Sequence, residues 1–230
     1  MRIDIISAVP AALDGPINQS IIQRAREKGL VEIYIHDLRD YTEDKHNKID
    51  DYPYGGDAGM VLTPQPIFSC IEQLTSLRSY DDLIFTAADG KVFNQIDANT
   101  LSLKKNILIL CGHYKGVDQR IRDELITKEY SIGDFVLTGG ELPAMVITDA
   151  IVRLLPGVIG DAESALKDSF QDGLLEAPIY TRPANFKGLC VPEVLRSGNP
   201  KLIKEWQNEQ AFTKTKKRRP DLYNQFKKED

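Results

Sequence analysis

The stretch from Tyr130 to Gly157, YSIGDFVLTGGELPAMVITDAIVRLLPG, constrains this chain more than any other, because it runs an apolar segment into paired glycines and then into a helix-forming run. Phe135 to Thr138 reads as a short buried strand. Gly139 and Gly140 allow a tight turn and close backbone approach, and Pro143 suits the first turn of a helix. The following residues, Ala144 to Leu155, are apolar on nearly every face, which is the pattern of a buried helix. A glycine turn feeding such a helix offers unpaired backbone N–H groups beside a surface without side chains, which suits a ring edge or an anionic group. Two adjacent glycines alone fit an ordinary strand-turn-helix crossover equally well.

A second glycine-bearing strand end follows the same logic: Asn106 to Arg120, NILILCGHYKGVDQR, ends an apolar run in Cys111-Gly112 and carries Gly116 shortly after. Further strand-like runs lie at Ile3 to Val9, Val31 to His36 and Leu83 to Ala87. Helix-like stretches at Ser20 to Lys28, Pro66 to Thr75 and Ala98 to Lys104 separate them. This alternation predicts an α/β fold with a largely parallel sheet and ligands at the carboxyl ends of its strands, where the glycines fall. Beyond Gly157 the pattern changes to a polar segment, Asp161 to Gln171, read as a linker. A helix capped by Asn199, with Pro200 at its first position, is expected to run through Trp206.

At 230 residues the chain can hold one large domain, or one well-cored domain plus a smaller one. No apolar run approaches the ~20 residues needed to span a bilayer, and MRIDIISAVPAALDG is acidic too early for a secretory signal, so a cytoplasmic protein is expected. Cys70, Cys111 and Cys190 are isolated and lack CxxC spacing, so neither a disulfide frame nor a zinc site is indicated. His36, His46 and His113 show no HxxxH spacing, and no metal-ligand set is assigned. The formal net charge of −5 is unevenly spread: residues 176–230 hold 12 Lys+Arg against 7 Asp+Glu, while residues 1–175 hold 17 against 27. TKTKKRRP, Thr213 to Pro220, is the densest basic run. A solvated tail could carry such a run, but Trp206, Phe212 and Tyr223 interleaved with the charges point to an ordered basic module suited to phosphate contacts.

Five blocks in order, DDYPYGGDAGMVLTP (Asp50 to Pro64), CGHYKG, the Tyr130 to Gly157 segment, DSFQDGLLEAPIYTRP (Asp168 to Pro183) and VPEVLRSGN (Val191 to Asn199), resemble the bacterial tRNA (guanine-N1-)-methyltransferase family. The match is collinear from IISAVP to KKRRPDL. The resemblance implies a SPOUT-type domain with a deep trefoil knot over residues 1–160, a linker over 161–175 and a small helical, basic tRNA-binding domain over 176–230. It also implies S-adenosyl-L-methionine as methyl donor, Mg2+ as an ion from which relatives benefit, and a homodimer with shared active sites. The donor would lie among Phe85, Thr86, Ala87, Gly112, Tyr114, Gly116, Ile132, Gly133, Phe135, Leu137, Gly139, Gly140 and Pro143. The expected reaction gives 1-methylguanosine at the guanosine 3′ of the anticodon, a modification that maintains reading frame.

Methylation at guanine N1 requires removal of a proton. Asp168 matches the family's general base, and Arg153 its cation for the guanine carbonyl, where negative charge develops. Read from their own surroundings alone, Asp168 is also a turn or cap residue and Arg153 a cation at a helix C-terminus. Several positions depart from the family pattern: His113 where many relatives have Arg, Lys115 where they have Glu, Ala87-Ala88 for Ser-Pro, and Glu176 for Asp. Two other classes of protein share parts of this pattern. A non-catalytic RNA-binding SPOUT protein would tolerate Lys115 but has no need of Asp168 and Arg153. A nucleotide-binding oxidoreductase would need a G-x-G-x-x-G or P-loop, and neither occurs.

Overall fold

The computed structural model describes residues 1–160 and 168–229. The polar segment from Asp161 to Lys167, most of the expected linker, lies outside the described residues. The chain divides into two compact units, Met1–Gly160 and Asp161–Asp230.

In the first unit the elements run β1 (Arg2–Ser7), α1 (Asp14–Ile17), α2 (Ser20–Glu27), β2 (Glu32–Asp37), the short ribbon β3 (Asp50–Asp51) and β4 (Val61–Leu62), α3 (Pro64–Leu77), β5 (Asp82–Val92), α4 (Gln95–Ser102), β6 (Asn106–Cys111), α5 (Gln119–Leu125), β7 (Lys128–Ser131) and α6 (Glu141–Val152). The five long strands form one sheet in the order β2-β1-β6-β5-β7. Every pairing in it is parallel, with Ile3 opposite both Ile33 and Ile107, and Ile84 opposite Ile109. A parallel sheet needs both faces covered, and its strands read as apolar runs for that reason. Here α2, α4 and α6 cover one face through Ile22, Ala25, Leu101, Ala144 and Ile147. On the other face α3 and α5 pack Ile67, Ile71, Leu74 and Ile121 against Ile6, Leu108 and Leu110. Fully burying one such side chain contributes about 1.5–3 kcal/mol, so the sheet and its flanking helices fix the strand ends on which the cleft is built.

Two expectations are corrected. Phe135 to Thr138 is not a strand; it is a loop with Phe135, Val136 and Leu137 exposed, and the fifth strand is the preceding Lys128–Ser131. That strand occupies the edge of the sheet, and an edge admits polar residues such as Lys128 and Glu129. The α6 helix is not buried all round either: Leu142 and Val146 are about half exposed, while Ala144, Met145, Ile147, Thr148, Ile151 and Val152 are buried. The elements without a counterpart in the sequence reading include α5 and the continuation of β5 through ADGKV to Val92, where its register against β7 shifts between Thr86 and Lys91.

The second unit contains a two-strand ribbon, β8 (Asn185–Phe186) and β9 (Leu189–Cys190), then α7 (Pro200–Arg218) and α8 (Pro220–Glu229). The expected Asn199 cap forms: its side-chain oxygen accepts from the N–H groups of Lys201 at 3.1 Å and Leu202 at 3.4 Å. The helix then continues well past Trp206. Phe212 and Phe226 pack edge to face across the α7–α8 pair at 5.4 Å between ring centroids, and Tyr180 meets Trp206 at 6.4 Å.

Candidate donor-binding cleft

A cleft of about 340 Å³ in the first unit is enclosed by the loops that leave β6 after Cys111 and β7 after Ser131, and by the irregular stretch of β5 after Thr86, where its register against β7 shifts. All thirteen positions that the sequence assigns to donor binding, from Phe85 to Pro143, line this one cleft. The volume falls within the ~300–1,000 Å³ of small-molecule sites.

Gly140 shows why side chains are excluded at the cleft floor. Its N–H donates to the Gly112 carbonyl at 2.6 Å, drawing the loop before α6 against the loop after β6. A Cβ added at Gly140 would meet the Thr86 hydroxyl and lie 2.6 Å from the Gly112 nitrogen, both closer than real contacts allow. The turn after Gly112 places Tyr114 at φ +57° and Gly116 at φ +121°, left-handed values that bend the loop back over the cleft. Its outer side is tied to the 52–62 segment, since Lys115 N–H donates to Met60 O at 3.0 Å and Leu62 N–H to Gly116 O at 3.0 Å.

Beneath the glycines lies a buried acidic group. Glu141, the first residue of α6, is 4% exposed, and its Oε1 accepts from the Ser7 hydroxyl at 2.7 Å. A carboxylate at the N-terminal end of a helix is favoured by the unpaired N–H groups and the helix dipole. Burial first, and the nearby Glu141 second, push the Cys111 thiol well above its ordinary range. Cys111 therefore stays protonated.

The two residues assigned to the chemistry belong to different units. Arg153 is the C-cap of α6, half-buried, with its N–H bonded to Asp149 O at 3.1 Å. Asp168 opens the described part of the second unit. Its carbonyl accepts from Gln171 N–H at 3.4 Å, and it lines a separate cavity of about 410 Å³ with Glu176, Lys204 and Gln207. Sequence reasoning did not single out Asp89 or Arg122, which also line the cleft. Arg122 ion-pairs with Glu129 and with Asp89 at 2.9 Å, bracing the cleft's outer wall.

A buried polar network away from the cleft was missed as well. Asp4, fully buried in β1, accepts from Arg2 at 2.7 Å and Tyr80 at 2.8 Å and lies 2.7 Å from His36 Nε2. Burial raises the Asp4 carboxyl, but these hydrogen bonds outweigh it and hold the group down at about 2. An aspartate inside the otherwise apolar run RIDIIS was the available signal.

Fold and cleft together define a class: an α/β protein whose small-molecule site is made of glycine backbone at the ends of parallel strands. The chain belongs to the family described as tRNA (Guanine-1)-methyltransferase TrmD, which matches residues 1–225. It is 61% identical over 222 residues to the tRNA (guanine-N(1)-)-methyltransferase of Bacteroides thetaiotaomicron, covering 96% of this chain and 99% of that protein. Similar relatives of the same name include one from Christiangramia forsetii, 60% identical over 96% of this chain and 98% of its own length, and one from Cytophaga hutchinsonii, 58% identical over 99% and 97%. No helix among the described residues is long and apolar enough to cross a membrane.

Proposed function

We propose that this protein transfers a methyl group from S-adenosyl-L-methionine to N1 of the guanosine 3′ of the anticodon in tRNA. The observation that carries the reading is the convergence of all thirteen assigned positions on one cleft whose floor has no room for a Cβ at Gly140. Such a floor admits a flat ring edge against backbone, and Phe85, Ile132, Leu137 and Pro143 supply apolar wall for the rest of a nucleoside.

The donor supplies an already activated methyl on a sulfonium, so electrophile activation requires no further group. Asp168 takes the N1 proton as the new N–C bond forms and the methyl–sulfur bond breaks, its electron pair staying on sulfur as S-adenosylhomocysteine leaves, and Arg153 stabilises the negative charge that builds on the guanine carbonyl. No group of three or more His, Cys, Asp or Glu that could hold a metal occurs among the described residues, so magnesium is assigned no residue and no step. Residues 1–160 form the donor-binding domain, with the SPOUT-type knot, and 161–175 link it to the basic tRNA-binding domain, 176–230. Two copies assemble as a homodimer in the cytoplasm, Asp168 of one chain serving the cleft of its partner.

Nucleoside mass analysis after incubating the protein with S-adenosyl-L-methionine and unmodified tRNA tests the reading. Formation of 1-methylguanosine at that one position supports it. Methylation at another atom or base, or none, sinks it.

A further inference from the structure

The loop after β6 and the loop before α6 form facing walls of the cleft, and one side-chain pair spans them without closing. His113 Nδ1 is buried and makes no hydrogen bond among the described residues. Its nearest acidic neighbour is Glu141 Oε2 at 3.8 Å, beyond hydrogen-bond range but within reach of a movement of about 1 Å. Glu141 itself is anchored from behind by Ser7 and by its place at the start of α6. The backbones of the same two loops already touch, through a bridge between His113 and Gly139. Gly139 leaves the space between the two side chains open: a Cβ there would meet Glu141 Oε2 and lie 2.8 Å from His113 Nδ1.

We infer that His113 is a positioning residue: in its protonated form it closes on Glu141 and staples the two donor-binding loops together, making donor affinity dependent on pH. The inference rests on the donor-cleft reading above. Histidine changes charge between about pH 5 and 8, and an imidazolium carries an N–H on Nδ1 that can donate to the Glu141 carboxylate once the 3.8 Å gap closes. A neutral ring presenting its Nδ1 lone pair to the carboxylate repels it instead. The groups facing His113 are few. Glu141 faces it from α6, and the protonated Cys111 thiol lies in β6 beneath. The Tyr114 ring stands edge-on at 4.7 Å and limits the imidazole's tilt. Lys115 is turned toward Asp57, 3.9 Å away on the 52–62 segment.

The sign follows from linkage. If the donor-bound state tightens the pair, binding takes up protons, so affinity is greatest at low pH and falls as pH rises through the histidine range. Calorimetry with S-adenosylhomocysteine as probe, between pH 5.5 and 8.5, reads this directly. The full-length wild type is expected to weaken about tenfold across that range, the size of a typical coupling between sites. His113→Arg, a permanent cation, should bind tightly and show only the shallow slope of the ligand's own amino group, which titrates in every variant alike. His113→Gln should bind weakly at both ends with that same shallow slope. A wild-type slope no steeper than that of His113→Arg overturns the staple, because a neutral Nδ1–H tautomer would then make the contact. Retention of the steep slope in His113→Gln overturns it too. Absence of binding by folded wild type at any pH would sink the donor cleft itself, an outcome distinct from both. Repeating the titration with the sulfonium donor separates stapling, which acts on both ligands, from direct charge repulsion, which acts on the sulfonium alone.

Discussion

The two units solve the problem of holding functional groups in different ways. In the first, a parallel sheet with helices on both faces buries two apolar clusters, and the cleft loops are short extensions of buried strands. In the second, Leu174 is the one buried apolar side chain among the described residues, and order comes from ring pairs, the Asn199 cap and side-chain-to-backbone bonds such as Lys214 to Glu176 O at 2.7 Å. Few buried contacts mean low local stability. The first unit holds its cleft on a buried sheet. The second is built to present charge, and part of its basic run is already engaged, as in the 2.6 Å Arg219–Asp221 pair.

The largest expected effect lies in the rigid unit. Gly140→Val should remove donor binding below calorimetric detection while leaving tRNA retention near wild type, since the added side chain collides with Thr86 and Gly112. Circular dichroism must show the variant folded. Equal loss of both ligands would break the division of labour.

Next comes Asp168→Asn, which keeps the shape and removes the base. Single-turnover methyl transfer should fall by roughly 10²–10⁴, the range of general-base contributions, with donor binding unchanged. Mixing the two inactive proteins as refolded heterodimers should restore roughly a quarter of wild-type activity if independent sites are shared across a two-fold interface. No recovery from verified mixed dimers would place both residues in one chain's site.

A smaller effect concerns acid stability of the first unit. The Asp4 carboxyl is held at about 2 in the folded protein against an ordinary 3.8. A depressed carboxylate stabilises above its unfolded value and loses that stabilisation as pH falls through the folded one. About 2 kcal/mol should therefore disappear between roughly pH 4 and 2. Thermal melts of wild type and Asp4→Asn should differ in slope over that window. Asp221 in the second unit is also lowered, by Arg219, but it is exposed to solvent and salt, and its removal should leave the acid profile unchanged.

The smallest effect belongs to individual basic residues. Lys217→Ala and Arg218→Ala should each weaken tRNA binding a few-fold and reduce the salt slope by about one, with donor affinity untouched. Unchanged salt slopes would remove this helix end from the RNA surface.

By itself the sequence determined the alternating α/β plan, the glycine-bearing strand ends and the Asn199 cap, because each is written in local terms: apolar periodicity, glycine and proline punctuation, and capping chemistry; the thirteen cleft positions came from the family resemblance. Recognition of the family added the activity and the roles of Asp168 and Arg153. Only the tertiary structure decided which apolar run joins the sheet. Phe135 to Leu137 and Leu108 to Leu110 are equally apolar, yet one lines a cleft and the other lies in the core, and sheet membership depends on partners distant in sequence. The same holds for β7, polar because it lies at an edge, and for Asp4, whose burial is tolerable only because Arg2, His36 and Tyr80 converge on it from other elements. Glu141 and His113 were visible as letters in two motifs. That they lie 3.8 Å apart follows from the bridge between Gly139 and His113, a long-range backbone contact that no local pattern encodes.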